Sequence, residues 1–80
     1  MKTAFRKSFT RDLKRIKDTD VLERVRQVIE EVEAATNLQG IGNLKKMSGT
    51  TNFYRIRIGD YRIGTAVEGD TVEFVGSGTV

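Results

Sequence analysis

The chain has 80 residues, 38% of them hydrophobic and 31% charged, with a net charge of +3 and neither cysteine nor histidine. That length makes one domain with a thin core, burying only about 60% of the surface its unfolded form exposes, so a bound partner would add stability. Without cysteine or histidine, disulfides, thiol nucleophiles, imidazole bases and nearly every zinc pattern drop out; no metal or cofactor is expected, and chemistry must come from Lys, Arg, Tyr, Ser or carboxylates.

No apolar stretch approaches the roughly 20 residues that span a bilayer, and the start MKTAFRKSF lacks a signal-peptide core, so no membrane association and a cytoplasmic location are expected. Charge is unevenly spread along the chain. Residues 1–17 sum to +6, residues 20–36 to −3, and Lys45 and Lys46 open a second basic stretch that continues through Arg55, Arg57 and Arg62. This distribution fits a polyanion-binding surface with an acidic back; scattered charge that merely keeps a small domain soluble fits it equally well.

In chain order, Phe5 falls in a candidate first strand, and Phe9, Leu13 and Ile16 give helical spacing over 8–17, with Ser8 as candidate N-cap. Val21, Leu22, Val25, Val28, Ile29, Val32 and Ala35 trace the apolar stripe of a second helix, started by Asp18 or Asp20 and ended by Asn37 or Gly40. The short connection makes the two an αα-hairpin. From residue 53 the period becomes 2: Tyr54, Ile56 and Ile58 alternate with Arg55 and Arg57, Gly59-Asp60 is a turn, and Tyr61 to Val67 and Thr71 to Val75 are the next strands. The expected fold is α+β, an N-terminal αα-hairpin packed on one face of a small antiparallel sheet, as a single domain over 1–75. Residues 76–80, with their Gly-Ser-Gly, read as a linker-like tail left by truncation or engineering.

Alternation turns Arg55 and Arg57 away from the helices, and Arg62 joins them because Tyr61, Ile63 and Val67 form the core set of its strand. Like charges held together call for an anionic ligand such as a phosphate backbone, although arginine is also a tolerated residue on a wet sheet face.

The run FYRIRIGDYRIGTAVEGDTVEFV, preceded by the hairpin and the basic segment KSFTRDLKRI, resembles the RelE/ParE superfamily of type II toxin–antitoxin toxins over residues 5–75. Asn43-Leu44-Lys45-Lys46-Met47 and the small-residue loop at Ser48-Gly49-Thr50 are similar to the family's approach to that strand. For the RelE branch the resemblance implies a ribosome-dependent endoribonuclease, in which a ribose 2′-hydroxyl attacks the adjacent phosphate. The family's basic pair falls on Arg55 and Arg57 and its phosphate-clamping arginine on Arg62, making these three the implied catalytic residues. Lys45, Lys46, Arg11 and Lys14 are expected to join them in holding RNA. Arg55 and Arg57 supply charge but are poor bases.

Two departures from the family pattern stand out. Thr65 lies on the core face, and Gly76 to Val80 replace the segment in which the family carries another basic residue and a Tyr or His. Attenuated cleavage is therefore expected. The implied partners are a cognate antitoxin and ribosome-bound mRNA, with a homodimer through an exposed strand edge as a further expectation. Two alternatives remain open: a ParE-like poison of DNA gyrase, and a non-catalytic engineered or self-associating domain built on the toxin fold.

Overall fold

The computed structural model describes residues 1–79. In order these are β1 (Lys2–Phe5), α1 (Lys7–Lys14), α2 (Thr19–Ala34), a 3-10 turn at Leu38–Gly40, β2 (Leu44–Lys46), β3 (Phe53–Ile58), β4 (Tyr61–Glu68) and β5 (Thr71–Thr79). Asp18 is the N-cap of α2, its carboxylate accepting the Asp20 amide at 2.9 Å. The N-cap position of α1 is Arg6, not Ser8. The Ser8 hydroxyl instead donates to the Val75 carbonyl of β5 at 2.5 Å, a long-range bond that local spacing does not reveal.

Both helices cover one face of a five-stranded sheet in the order β1-β5-β4-β3-β2. Phe9 of α1 and Val25 and Val32 of α2 bury themselves against Ile56, Ile63 and Phe74 of the sheet. The sheet is mixed rather than purely antiparallel, because β1 pairs parallel with β5 while the other pairs are antiparallel. A parallel pair needs a long crossover, and here everything between β1 and β5 supplies it. The N-terminal ammonium donates to the Val32 and Glu33 carbonyls, both at 3.2 Å, and to that of Ala35, placing positive charge at the negative end of α2.

Residues 76–79 correct the linker-like reading. They are the end of β5, with Ser77 opposite Ile63, Gly78 opposite Arg62 and Thr79 opposite Tyr61; Val80 lies outside the described residues. The expected open edge on the last strand is also largely closed. β1 covers Thr71 to Phe74, and beyond it α1 takes over, with Ser8 bonding the Val75 carbonyl and the Asp12 carboxylate accepting the Ser77 amide at 3.1 Å. The outermost strands are β1 and the three-residue β2, whose Lys45 and Lys46 blunt it against strand pairing. Thr65 is fully buried, yet its hydroxyl donates to the Tyr54 carbonyl at 3.1 Å, so the core holds no orphaned polar group there. No helix among the described residues is long and apolar enough to cross a membrane.

Candidate nucleic-acid interface on the outer sheet face

The Gly59-Asp60 turn fixes the register of the β3–β4 hairpin, with Gly59 at φ +56° supplying the left-handed residue a two-residue turn needs. That register sets Ile56 opposite Ile63 on the core face and Arg57 opposite Arg62 on the outer face. Arg55 faces Gly64 on one side and Lys45 of β2 on the other. Two like-charged pairs, Lys45 with Arg55 and Arg57 with Arg62, therefore stand side by side on the sheet surface away from the helices.

A β-bulge shapes what lies next to them. Thr65 pairs with Phe74 but Gly64 pairs with Gly76, leaving Val75 as the extra residue. The bulge changes the parity of β5: Ser77 now shares the helix side with Tyr61, whose hydroxyl donates to it at 2.6 Å, and Gly78 falls beside Arg62. A side chain at Gly78 would meet nothing within 4 Å, and one at Gly64 would meet only the Gly76 carbonyl, at 3.7 Å. The glycines thus floor an open cleft of about 360 Å³ whose walls are Arg55, Arg62 and Met47. Arg57 stands outside that cleft, its Nε donating to the Gly59 carbonyl at 3.1 Å, and shares a neighbouring hollow with Lys45 and Arg55.

The sequence-predicted set is thus divided. Arg55 and Arg62 meet in the cleft, and Arg57 and Lys45 adjoin it on the same face. Lys46 does not belong with them, because it pairs with Tyr54 and lies on the opposite face of β2 from Lys45. Arg11 and Lys14 are also separated, since α1 packs through Phe9 on the helix side of the sheet. Met47, Gly64 and Gly78 are site features that sequence reasoning missed; recognising 76–79 as a strand would have brought out the glycine floor.

Among the described residues, no carboxylate forms an ion pair with Lys45, Arg55, Arg57 or Arg62; the ion pairs present engage Arg6, Arg11 and Arg26. On the solvent side of α2, a hydrogen bond from Arg26 holds the Glu23 carboxyl below its usual value, and the same contact raises Arg26. The cleft lining contains no carboxylate and no tyrosine. Tyr61 is occupied on the helix side, and Tyr54 is paired there with Thr65. The arrangement can neutralise and orient a phosphate; among the described residues its lining holds the Ser77 and Thr79 hydroxyls but no group of general-acid strength.

Comparison with known proteins bears on the family and the fold. Residues 4–76 match the family model described as "ParE toxin of type II toxin-antitoxin system, parDE". The chain is 41% identical over 75 residues to Toxin RelE3 of Methanocaldococcus jannaschii, covering 92% of this chain and 84% of that protein. Its fold is similar to the RelB–RelE antitoxin–toxin complex from Methanococcus jannaschii, with TM-score 0.81 and 37% identity over 95% of this chain and 88% of the other. The YoeB dimer from Staphylococcus aureus shares the fold at TM-score 0.76 and 19% identity, over 95% and 92% of the two chains. The extent of the family match and the identity to Toxin RelE3 place this chain in the RelE/ParE superfamily of toxins from type II toxin–antitoxin systems.

Proposed function

We propose that this chain is a toxin that binds ribosome-engaged mRNA on its outer sheet face and cleaves it slowly. The observation that carries this reading is the convergence of Arg55 and Arg62 on one glycine-floored cleft, with Arg57 and Lys45 beside it and no carboxylate compensating them among the described residues. Arg62 can present a bidentate fork to the scissile phosphate, and Arg55 can stabilise the charge that grows on its oxygens. The ribose 2′-oxygen attacks phosphorus, the bond to the 5′-oxygen breaks, and a 2′,3′-cyclic phosphate and a 5′-hydroxyl result. Among the described residues the cleft offers the Ser77 and Thr79 hydroxyls but no carboxylate, tyrosine or imidazole to act as general acid or base, so water takes the 2′ proton and supplies the one that the 5′-oxygen needs. Lack of one such transition-state donor costs about 10²–10³ in rate, the expected degree of attenuation.

The RelB–RelE complex supports a cognate antitoxin as partner. A gyrase-directed reading has its own support, in the ParE description of the matching family model and in a cleft that lacks acid–base groups. The two readings separate in parallel assays: codon-phased cleavage of mRNA in a ribosome-containing extract supports the first, whereas inhibited DNA supercoiling with intact mRNA supports the second.

A further inference from the structure

The described residues expose four large apolar side chains: Phe5, Leu22, Met47 and Phe53. Phe5 is accounted for, since it stacks on Phe9 and Phe74 at the margin of the aromatic core, with ring centroids 6.0 and 5.3 Å apart. Leu22 stands alone on α2, and single exposed apolar residues are ordinary. Met47 and Phe53 are different because they adjoin one another: the Met47 amide donates to the Phe53 carbonyl at 2.9 Å, closing the loop between β2 and β3. They also lie on the cationic face. Met47 walls the cleft that holds Arg55 and Arg62, and Phe53 precedes Arg55 by two residues on the same side of β3.

We propose that Met47 and Phe53 form a ledge on which a nucleobase stacks while its neighbouring phosphate is held by Arg55 and Arg62. This rests on the outer face being an RNA-binding face and adds to it a subsite for the base. Two steps along a strand separate Phe53 from Arg55 by about 7 Å, so an apolar plate and a guanidinium alternate along one line. Single-stranded nucleic acid alternates base and phosphate in the same way, and aromatic plates set in a basic groove are how such strands are held without sequence-specific hydrogen bonds. The cleft volume of about 360 Å³ lies near the lower end of the roughly 300–1,000 Å³ range of small-ligand sites.

The ledge is also held in place before any ligand arrives. The Thr50 hydroxyl donates to the Met47 carbonyl at 2.8 Å, Gly49 at φ +77° makes the loop turn, and the Val67 amide ties Asn52 to β4 at 2.9 Å. The backbone that carries Phe53 and Met47 is therefore ordered before binding, leaving only their side chains to settle. The glycine floor beside them leaves room for a flat ring to approach the sheet backbone.

The test compares a short single-stranded oligoribonucleotide carrying a fluorescent adenine analogue with an abasic ribose-phosphate strand of equal length, binding to the unmodified chain and to Phe53→Ala, Phe53→Leu and Met47→Ala. The expected result is that Phe53→Ala weakens the base-bearing strand about 10-fold and abolishes quenching of the analogue, with Phe53→Leu retaining part of the affinity but not the quenching. Binding of the abasic strand and the salt slope of RNA binding should not change, because no charge is removed. Equal loss for both strands, or loss for neither, overturns the ledge. Unchanged RNA binding with weakened antitoxin binding also overturns it, assigning the pair to a protein interface instead. Removal of charge at Arg55 and Arg62 is the separate arm: an unchanged salt slope there sinks the RNA-face reading, whereas a flattened slope with no base dependence sinks only the ledge.

Discussion

Arg57 and Arg62 face each other across β3 and β4, so neutralising one of them while keeping its stem should raise stability. Directly opposed residues on a sheet have Cβ atoms about 5.5 Å apart, and two unit charges at that spacing repel by about 0.8 kcal/mol at the dielectric constant of water. Screening with a Debye length of about 10 Å at 0.1 M salt leaves about 0.4 kcal/mol, and one of about 3 Å at 1 M leaves about 0.1 kcal/mol. Directly opposed like charges on a sheet are expected to cost about this much. For Arg62→Gln the low-salt gain corresponds to a Tm rise of about 2–3 °C in a domain of this size. The assay is thermal unfolding followed by circular dichroism at both salt concentrations, with Arg55 and Lys45 left in place. The arginine face would then be a stability cost retained for its ligand. A lower Tm for Arg62→Gln at low salt, or a difference that salt does not shrink, would refute the reasoning and mean that the Arg62 stem packs on the sheet more than its charge repels.

Asp12→Ala should cost about 1–3 kcal/mol by stranding the half-buried Ser77 amide, and hydrogen exchange at Ser77 should accelerate more than at Ile63. Thr65→Val should change stability by no more than about 1 kcal/mol, because it removes one satisfied donor and keeps the packed volume; urea unfolding would measure this. Glu23 has its folded pKa lowered chiefly by its hydrogen bond from Arg26, so its contribution is present above the ordinary glutamate value of 4.5 and fades as pH falls through the lower folded value. Both groups lie on the solvent-exposed side of α2, so Glu23→Gln should flatten the acid side of the stability profile only slightly, and salt should erase the difference.

The parts of the fold that are legible in the sequence are those governed by local period. The α2 stripe with its cap narrowed to Asp18 or Asp20, and the β3–β4 hairpin around Gly59, follow from spacing and turn chemistry alone, and with them the outward placement of Arg55, Arg57 and Arg62. What escapes is non-local. The parallel pairing of β1 with β5 joins residues about seventy positions apart, and nothing near Lys2 announces it. The bulge at Gly64 and Thr65 shifts the parity of β5. A Gly-Ser-Gly sequence that reads as linker is therefore a strand, one glycine opening space beside Arg62 and the serine bonding Tyr61. Lys45 and Lys46 are neighbours in sequence, yet in the strand β2 period 2 sends them to opposite faces. Ser8 has the chemistry of a cap, yet a β5 carbonyl far along the chain claims its hydroxyl.

The central claim is that this toxin acts on mRNA through the cleft between Arg55 and Arg62. Primer-extension mapping of a translated mRNA, with and without ribosomes, tests it most directly when the unmodified chain is run beside Arg62→Ala and the remote control Arg26→Ala. Slow, codon-phased cleavage is expected only where ribosomes are present, abolished by Arg62→Ala and unaffected by Arg26→Ala. Cleavage that survives Arg62→Ala, or intact mRNA under conditions in which the chain still arrests growth, would contradict it.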